Sequence, residues 1–286
     1  MEEHMSIVKL NQKYTYEQLI KDAIMLGNTF HEILQCKNIG YSWCRQRIPM
    51  LLLGKGGKKI FLTAGVHGRE SVNPIVLMRM VEDYCQAYRY CQSRRQVDIN
   101  KLLNTEVTFC VIPLVNPDGY TLAIENPEKA SWKENIRGVD INRNFPSITW
   151  RKKWNRDCPA SEVETQILMR AFCRLNPSLY IDYHSRGKSI FYYRNQMDEV
   201  YNREQRRIGE LLSKETGYKL EEPEHEIEQG DSGGNTVHFV AENWKCPAIT
   251  IETVEEAAEF PLSWQYQWQT FREVAMTPVV AAKIIL

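Results

Sequence analysis

No apolar run in these 286 residues approaches the length needed to span a bilayer, so no membrane anchor is expected. Charge of one sign is missing too. Lys plus Arg number 36 and Asp plus Glu also 36, so no global field draws the chain to nucleic acid or acidic membrane. Local basic runs, Arg94-Arg95 and Arg151-Lys-Lys153, read as solvated faces. The eight cysteines include no Cys-x-x-Cys pair, and several lie in apolar runs, as Cys110 does in Val107-Thr-Phe-Cys-Val-Ile112. Burial is the expectation for thiols in such runs, and reduced cysteines in a cytoplasmic protein for the set, with disulfides in an exported form as the alternative. The start, Met1-Glu-Glu-His-Met, lacks the basic and apolar segments of a secretory signal. Nor is there an internal repeat, a low-complexity segment or a long Gly/Ser/Pro linker, so residues 1–286 are expected to form a single domain.

What is present suits a globular α/β protein: 43% hydrophobic and 25% charged residues, enough for a sizeable core. Thr15-Tyr-Glu-Gln18 has the form of a capping box and opens a helix with Leu19, Ile20, Ala23 and Ile24 on its apolar side. Strands are expected at Met50–Leu53 and Lys59–Leu62, on either side of the turn Gly54-Lys-Gly-Gly57. A helix follows Pro74, and a strand over Val107–Ile112 empties into Asn116-Pro-Asp-Gly119. Ser161-Glu-Val-Glu164 reads as a second capping box. Leu179–Tyr183 forms a strand that delivers His184, a helix covers Tyr201–Ser213, and an acidic loop runs over Glu221–Gly234. Val237–Trp244 reads as a helix and Ala248–Ile251 as a strand delivering Glu252. Such alternation implies a mixed, largely parallel sheet covered on both faces, with ligands bound where strands end.

Polar groups cluster at those ends. His67 and Glu70, in Thr63-Ala-Gly-Val-His-Gly-Arg-Glu70, can converge on one ion from a turn, and His184 can join them from another strand. Three ligands leave a position open for water, which is the arrangement of catalytic zinc. Asn116 and Glu252 share the strand-end placement. A second His-x-x-Glu, His225-Glu-Ile-Glu228, has no strand before it and reads as solvated loop.

In order along the chain stand His67-Gly-Arg-Glu70, Asn116-Pro-Asp-Gly119, Gly138-Val-Asp-Ile-Asn-Arg-Asn-Phe145, His184-Ser185, Ser232-Gly-Gly234 and Thr250-Ile-Glu252. The set resembles the zinc carboxypeptidase family. The resemblance implies a three-layer α/β/α sandwich around a mixed sheet of about eight strands. It also implies one Zn2+ held by His67, Glu70 and His184, with Glu252 as general base. Arg143, assisted by Asn142, would take a substrate carboxylate; the alternative is an Arg143 tied to Asp140. Arg69 borders the same site and is a further substrate-binding candidate. For the oxyanion, Arg137 is the expected arginine and Lys133 the other candidate. Digestive members carry a tyrosine shortly before Ser-Gly-Gly, where this chain has Gln229.

Trp132–Pro146, Pro159–Thr165 and Pro247–Glu252 resemble the murein-peptide branch that cuts γ-D-glutamyl-diaminopimelate bonds. A muropeptide substrate in the cytoplasm is therefore expected, with no prodomain and with Asp231 or Glu228 in the loop to meet an amine, solvated loop acids being the alternative. The alternatives are a conventional carboxypeptidase acting on α-linked peptides and a zinc-binding protein without turnover.

Overall fold

Eight strands form one mixed sheet in the computed structural model, which describes residues 6–152, 158–226 and 233–286. In chain order they are β1 (Leu34–Tyr41), β2 (Arg47–Gly54), β3 (Lys58–Ala64), β4 (Val107–Ile112), β5 (Pro177–Ser185), β6 (Ser189–Phe191), β7 (Lys219–Leu220) and β8 (Ala248–Thr253). Side by side they run β1-β2-β4-β3-β5-β8-β6-β7. The centre is parallel, with β3 pairing β4 and β5 and β8 pairing β5, while β1 and β2 are antiparallel. The helices are α1 (Tyr16–Thr29), α2 (Val72–Arg89), α3 (Pro117–Glu125), α4 (Val163–Leu175), α5 (Glu199–Thr216), α6 (Thr236–Trp244), α7 (Tyr266–Val274) and α8 (Thr277–Ile285).

Strand alternation explains the layers. In β3, Ile60 and Leu62 face a core shared with Leu19 of α1, Ile75 of α2, Ile208 of α5 and Val279 of α8. Phe61 points the other way, into a core with Leu168 of α4 and Val240 of α6, and its ring lies 4.9 Å from that of Phe172. A strand covered on both faces has no polar side to show, which is why β4 is buried along its whole length. Among the described residues no helix is long and apolar enough to cross a membrane.

Gly54–Gly57 links β2 to β3 as expected, although the two strands are not neighbours, because β4 lies between them in the sheet. Two local expectations need correction. The Ser161 capping box does not form. That hydroxyl donates to Glu162 Oε1 at 2.8 Å and accepts from Asn144 Nδ2 at 2.9 Å, so α4 starts without a side-chain cap. The helix expected after Pro74 begins at Val72, with the proline inside its first turn, where no intrahelical N–H is needed. By contrast, Thr15 caps α1 as read, accepting from Gln18 N at 3.2 Å.

The loop between α3 and α4 is braced from beneath. Asn135 Oδ1 accepts from Arg137 N and Val139 N, while its Nδ2 donates to Glu162 Oε2 at 2.7 Å and Glu164 Oε2 at 3.3 Å. Glu164 is fully buried, and its Oε1 has no partner. Burial pushes its carboxyl up to about 7, partly offset by its own backbone N–H and by Asn135, while Asp118 and Glu162 add to the rise. The folded chain therefore binds a proton that the unfolded chain has lost, and stability falls as pH rises from about 4.5 to about 7. Glu164→Gln removes the charge and keeps the shape. Chemical denaturation should show it more stable than wild type at pH 8, by on the order of 2 kcal/mol, with the gain gone below about pH 4.5. A gain independent of pH would place its origin elsewhere.

Candidate active site

The carboxyl ends of β3, β5 and β8 converge. β3 ends at Ala64 and releases the turn holding His67 and Glu70, while His184 and Glu252 are direct partners across the β5–β8 pair. Asn116 proves to be a staple. Its Oδ1 caps α3 by accepting from Gly119 N at 2.9 Å, and its Nδ2 donates to Val66 O at 3.1 Å and Glu134 O at 3.0 Å. The ligand turn thereby meets the 132–140 loop so closely that a Cβ on Gly68 would lie 3.0 Å from Trp132 O, and only 2.4 Å from Gly119 O of α3. Asn73 ties the strand ends together, donating to His184 O at 2.7 Å and accepting from Thr253 Oγ1 at 2.8 Å.

His67, Glu70 and His184 are all buried, and their donor atoms lie within 4.8 Å of one another. His67 Nδ1 is 2.5 Å from Glu70 Oε1, His184 Nδ1 is 3.1 Å from Glu70 Oε2, and the two Nδ1 atoms are 3.2 Å apart. Two imidazole nitrogens face to face over a carboxylate suit a cation. The outer nitrogens are held by further acids: His67 Nε2 is 3.3 Å from Asp140 Oδ1, at ion-pair distance though off the hydrogen-bond direction, and His184 Nε2 is 2.9 Å from Asp182 Oδ2. Outer carboxylates of this kind fix the ring tautomer and orientation at metal sites. Burial alone would raise Glu70, yet the two imidazoles hold it well below the usual carboxylate range. Burial would likewise lower His184, but Asp182 and Glu70 hold it well above its ordinary value. Surroundings this negative favour a metal ion as they favour a proton. Among the described residues no fourth His, Cys, Asp or Glu joins the group. The donor set fits a metal with an open position.

Asp182 is itself positioned. It is 1% exposed, and its Oδ1 accepts from Thr63 Oγ1, which contacts Tyr180 OH at 2.7 Å. Asp182→Asn should weaken metal binding by about 10- to 100-fold, read by competition with a chromophoric chelator. Affinity within about twofold of wild type would leave Asp182 a packing residue.

A 180 Å³ cavity opens on the triad, lined by His67, Lys133, Asn142, Arg143, His184 and Glu252, with Phe191, Arg194, Glu226 and Thr250 among its further walls. Arg143 Nη1 donates to Asn142 O at 2.9 Å, and Asp140 is engaged by His67 and Lys133. Asn142 Oδ1 accepts from Thr236 N and Oγ1, which leaves its amide nitrogen on the cavity side, 3.5 Å from His184 Nε2. Glu252 Oε2 is buried without a partner; burial raises its carboxyl, His184 draws it back in part, and Glu70 adds to the rise. Arg137 is a correction. Its side chain is 47% exposed, lies over the Trp43 ring and reaches toward Glu162 at 3.7 Å, so it does not line the cavity. Lys133 does, with Nζ 2.9 Å from Asp140 Oδ2. Asp231 and Gln229 lie outside the described residues, as do Glu228 and Ser232. His225 is exposed as expected, yet it reaches the cavity rim. Sequence reading missed Asp182, Arg194 and Glu226. Asp182 was within reach, since residues two apart on a strand share a face and His184 is two further on.

Residues 21–274 match the family model described as zinc carboxypeptidase. Gamma-D-glutamyl-L-diamino acid endopeptidase 1 of Lysinibacillus sphaericus is 25% identical over 287 residues, covering 90% of this chain and 69% of the relative. Murein peptide amidase A of Escherichia coli K12 is 33% identical over 91 residues, 26% of this chain and 34% of the relative. Of the first three curated relatives it matches, the chain spans 69%, 59% and 50% of the length. Among solved structures, bovine thrombin-activatable fibrinolysis inhibitor in complex with tick carboxypeptidase inhibitor superposes with a TM-score of 0.81 at 18% identity, covering 96% of this chain and 98% of the other, a likeness of fold. With the family's model spanning the sheet and a His-Glu-His group at its carboxyl edge, the chain belongs to the zinc carboxypeptidases.

Proposed function

We propose that this peptidase uses one zinc ion on His67, Glu70 and His184 to hydrolyse a peptide bond next to a free carboxylate, and that its substrates are murein-derived peptides with γ-D-glutamyl-meso-diaminopimelate bonds. The observation that carries the chemistry is the meeting of that triad with Glu252, Lys133 and Arg143 around one cavity. The substrate half is supported by likeness to an endopeptidase named for γ-D-glutamyl-L-diamino acid bonds over 90% of this chain, and by the shorter likeness to a murein peptide amidase.

When bound, zinc supplies a water of lowered pKa and a Lewis-acid contact for the scissile carbonyl. Glu252 accepts the proton of the attacking water at its free Oε2 and returns it to the leaving amine. A carboxylate suits both halves, being a base when ionised and an acid once loaded. Lys133 places a cation where negative charge develops on the carbonyl oxygen. Arg143 pairs with the carboxylate of the leaving residue, with the Asn142 amide beside it. Asp140 links Lys133 to His67, so oxyanion cation and metal ligand share one support.

Purified protein with zinc should release diaminopimelate from L-Ala-γ-D-Glu-diaminopimelate, lose that activity to a chelator and regain it with added zinc. Release of residues from α-linked peptides alone would replace the substrate half with the conventional carboxypeptidase reading.

A further inference from the structure

A γ-linked glutamyl residue keeps its α-carboxylate free, on the acyl side of the bond to be cut. The leaving diaminopimelate carries carboxylates of its own. A peptide of this kind is therefore best held by two anion-recognition points, one on each side of the reacting carbonyl. Arg143 lines the cavity with the metal triad and Glu252. Two other arginines stand outside that lining and meet at a different place, the ring of Phe260. The guanidinium carbon of Arg69 lies 4.5 Å from the ring centroid and that of Arg186 lies 5.7 Å away.

Both arginines come from segments that carry ligands. Arg69 sits inside the His67–Glu70 turn, and Arg186 follows His184 by two residues at the end of β5. The segment after Arg186 runs along the rim of the site: Gly187 N donates to Val254 O at 2.9 Å, and a Cβ on Gly187 would stand 3.8 Å from Glu252 Cβ. Among the described residues neither arginine has a carboxylate within ion-pair distance or a hydrogen-bond acceptor, although the loop bearing Phe260 also carries Glu255, Glu256 and Glu259. Arg69 Nε is buried with no acceptor at all. A buried guanidinium N–H left bare is costly, and two cations on one ring repel unless an anion joins them. The exposed Arg186 leaves that anion a way in from solvent.

Resting on the murein-peptide reading above, we infer that Arg186, with Arg69, binds the free α-carboxylate of the γ-D-glutamyl residue and so selects the acyl side of the substrate. Guanidinium groups match a carboxylate in shape as well as charge, whereas a carboxamide in the same place offers only a neutral acceptor.

The test uses two tripeptides, L-Ala-γ-D-Glu-diaminopimelate and its isostere with the glutamyl α-carboxylate converted to the carboxamide. Zinc-loaded wild type should favour the free acid in kcat/KM by about 10- to 100-fold. Calorimetry on Glu252→Gln protein should show the same preference in Kd. Arg186→Gln should bring the ratio to within about twofold of unity, and Arg69→Lys, a conservative change beside the ligands, should shrink it with zinc content unchanged. Equal handling of both peptides by wild type overturns the inference and leaves the substrate reading standing, as does an undiminished preference in both arginine variants. Cleavage of neither peptide removes the substrate reading, and the inference falls with it.

Discussion

Glu252→Gln is expected to lower kcat by about 10²- to 10⁴-fold while zinc content and KM stay close to wild type. Gln fills the same space, so the strand pairing of Glu252 with His184 and the buried surroundings should persist. What disappears is the capacity to take a proton. Oε2 has no hydrogen-bond partner to satisfy in the resting protein, which is the condition of a group kept ready for a ligand and not for the fold. Burial raises the carboxyl, with His184 opposing and Glu70 reinforcing the rise, and a cation in the triad would lower it again. The sign for pH follows: below its pKa the base is loaded and idle, so wild-type kcat/KM should fall about tenfold per unit on the acid side. In Glu252→Gln that acid limb should be lost. A variant with full zinc content and kcat within about tenfold of wild type would remove Glu252 from the proton path.

The layered sheet was legible in the sequence because its central strands are short apolar runs bounded by turn residues, and strand-end polar groups marked where ligands would gather. The edge was not. β1 reads Leu-Gln-Cys-Lys-Asn-Ile-Gly-Tyr, half-solvated and without clean alternation, while β6 and β7 are too short to leave a periodic trace. At the site, the spacing of His67 and Glu70 after a strand marked a pair and strand-end placement offered His184, but the ordered motifs, through their resemblance to the family, joined the three as ligands. Asn116 shared their placement, yet the structure uses it to tie a helix start to two loops. Residue type and strand-end position alone do not separate a ligand from a staple. Arg194 and Glu226 show the reverse: their 2.7 Å pair lines the cavity, but it joins residues from different segments, and no local pattern foretells such a meeting.

The oxyanion cation is where sequence and structure part most sharply, and there the experiment discriminates. Lys133→Met is expected to lower kcat by about 10²- to 10³-fold, the usual loss when one donor to a developing oxyanion is removed. Lys133→Arg should keep much of the rate, since a guanidinium can reach from the same backbone position. Asp140 makes the control necessary: it bridges Lys133 at 2.9 Å and His67 at 3.3 Å, so removing the lysine leaves its carboxylate with less compensation beside a ligand. Burial alone would raise Asp140, but His67, Lys133 and Arg143 hold it well below the usual range, so it stays ionised and can still orient the imidazole. Zinc affinity in Lys133→Met should therefore change far less than kcat. Arg137→Gln supplies the contrast. Its guanidinium rests on Trp43 and faces Glu162, away from the cavity, so kcat should stay within about twofold of wild type. Should Arg137→Gln lose the rate while Lys133→Met keeps it, the loop from 132 to 140 must rearrange on substrate binding to exchange the two cations. The Asn135 brace beneath that loop argues against so large a movement, because its four hydrogen bonds would have to break together.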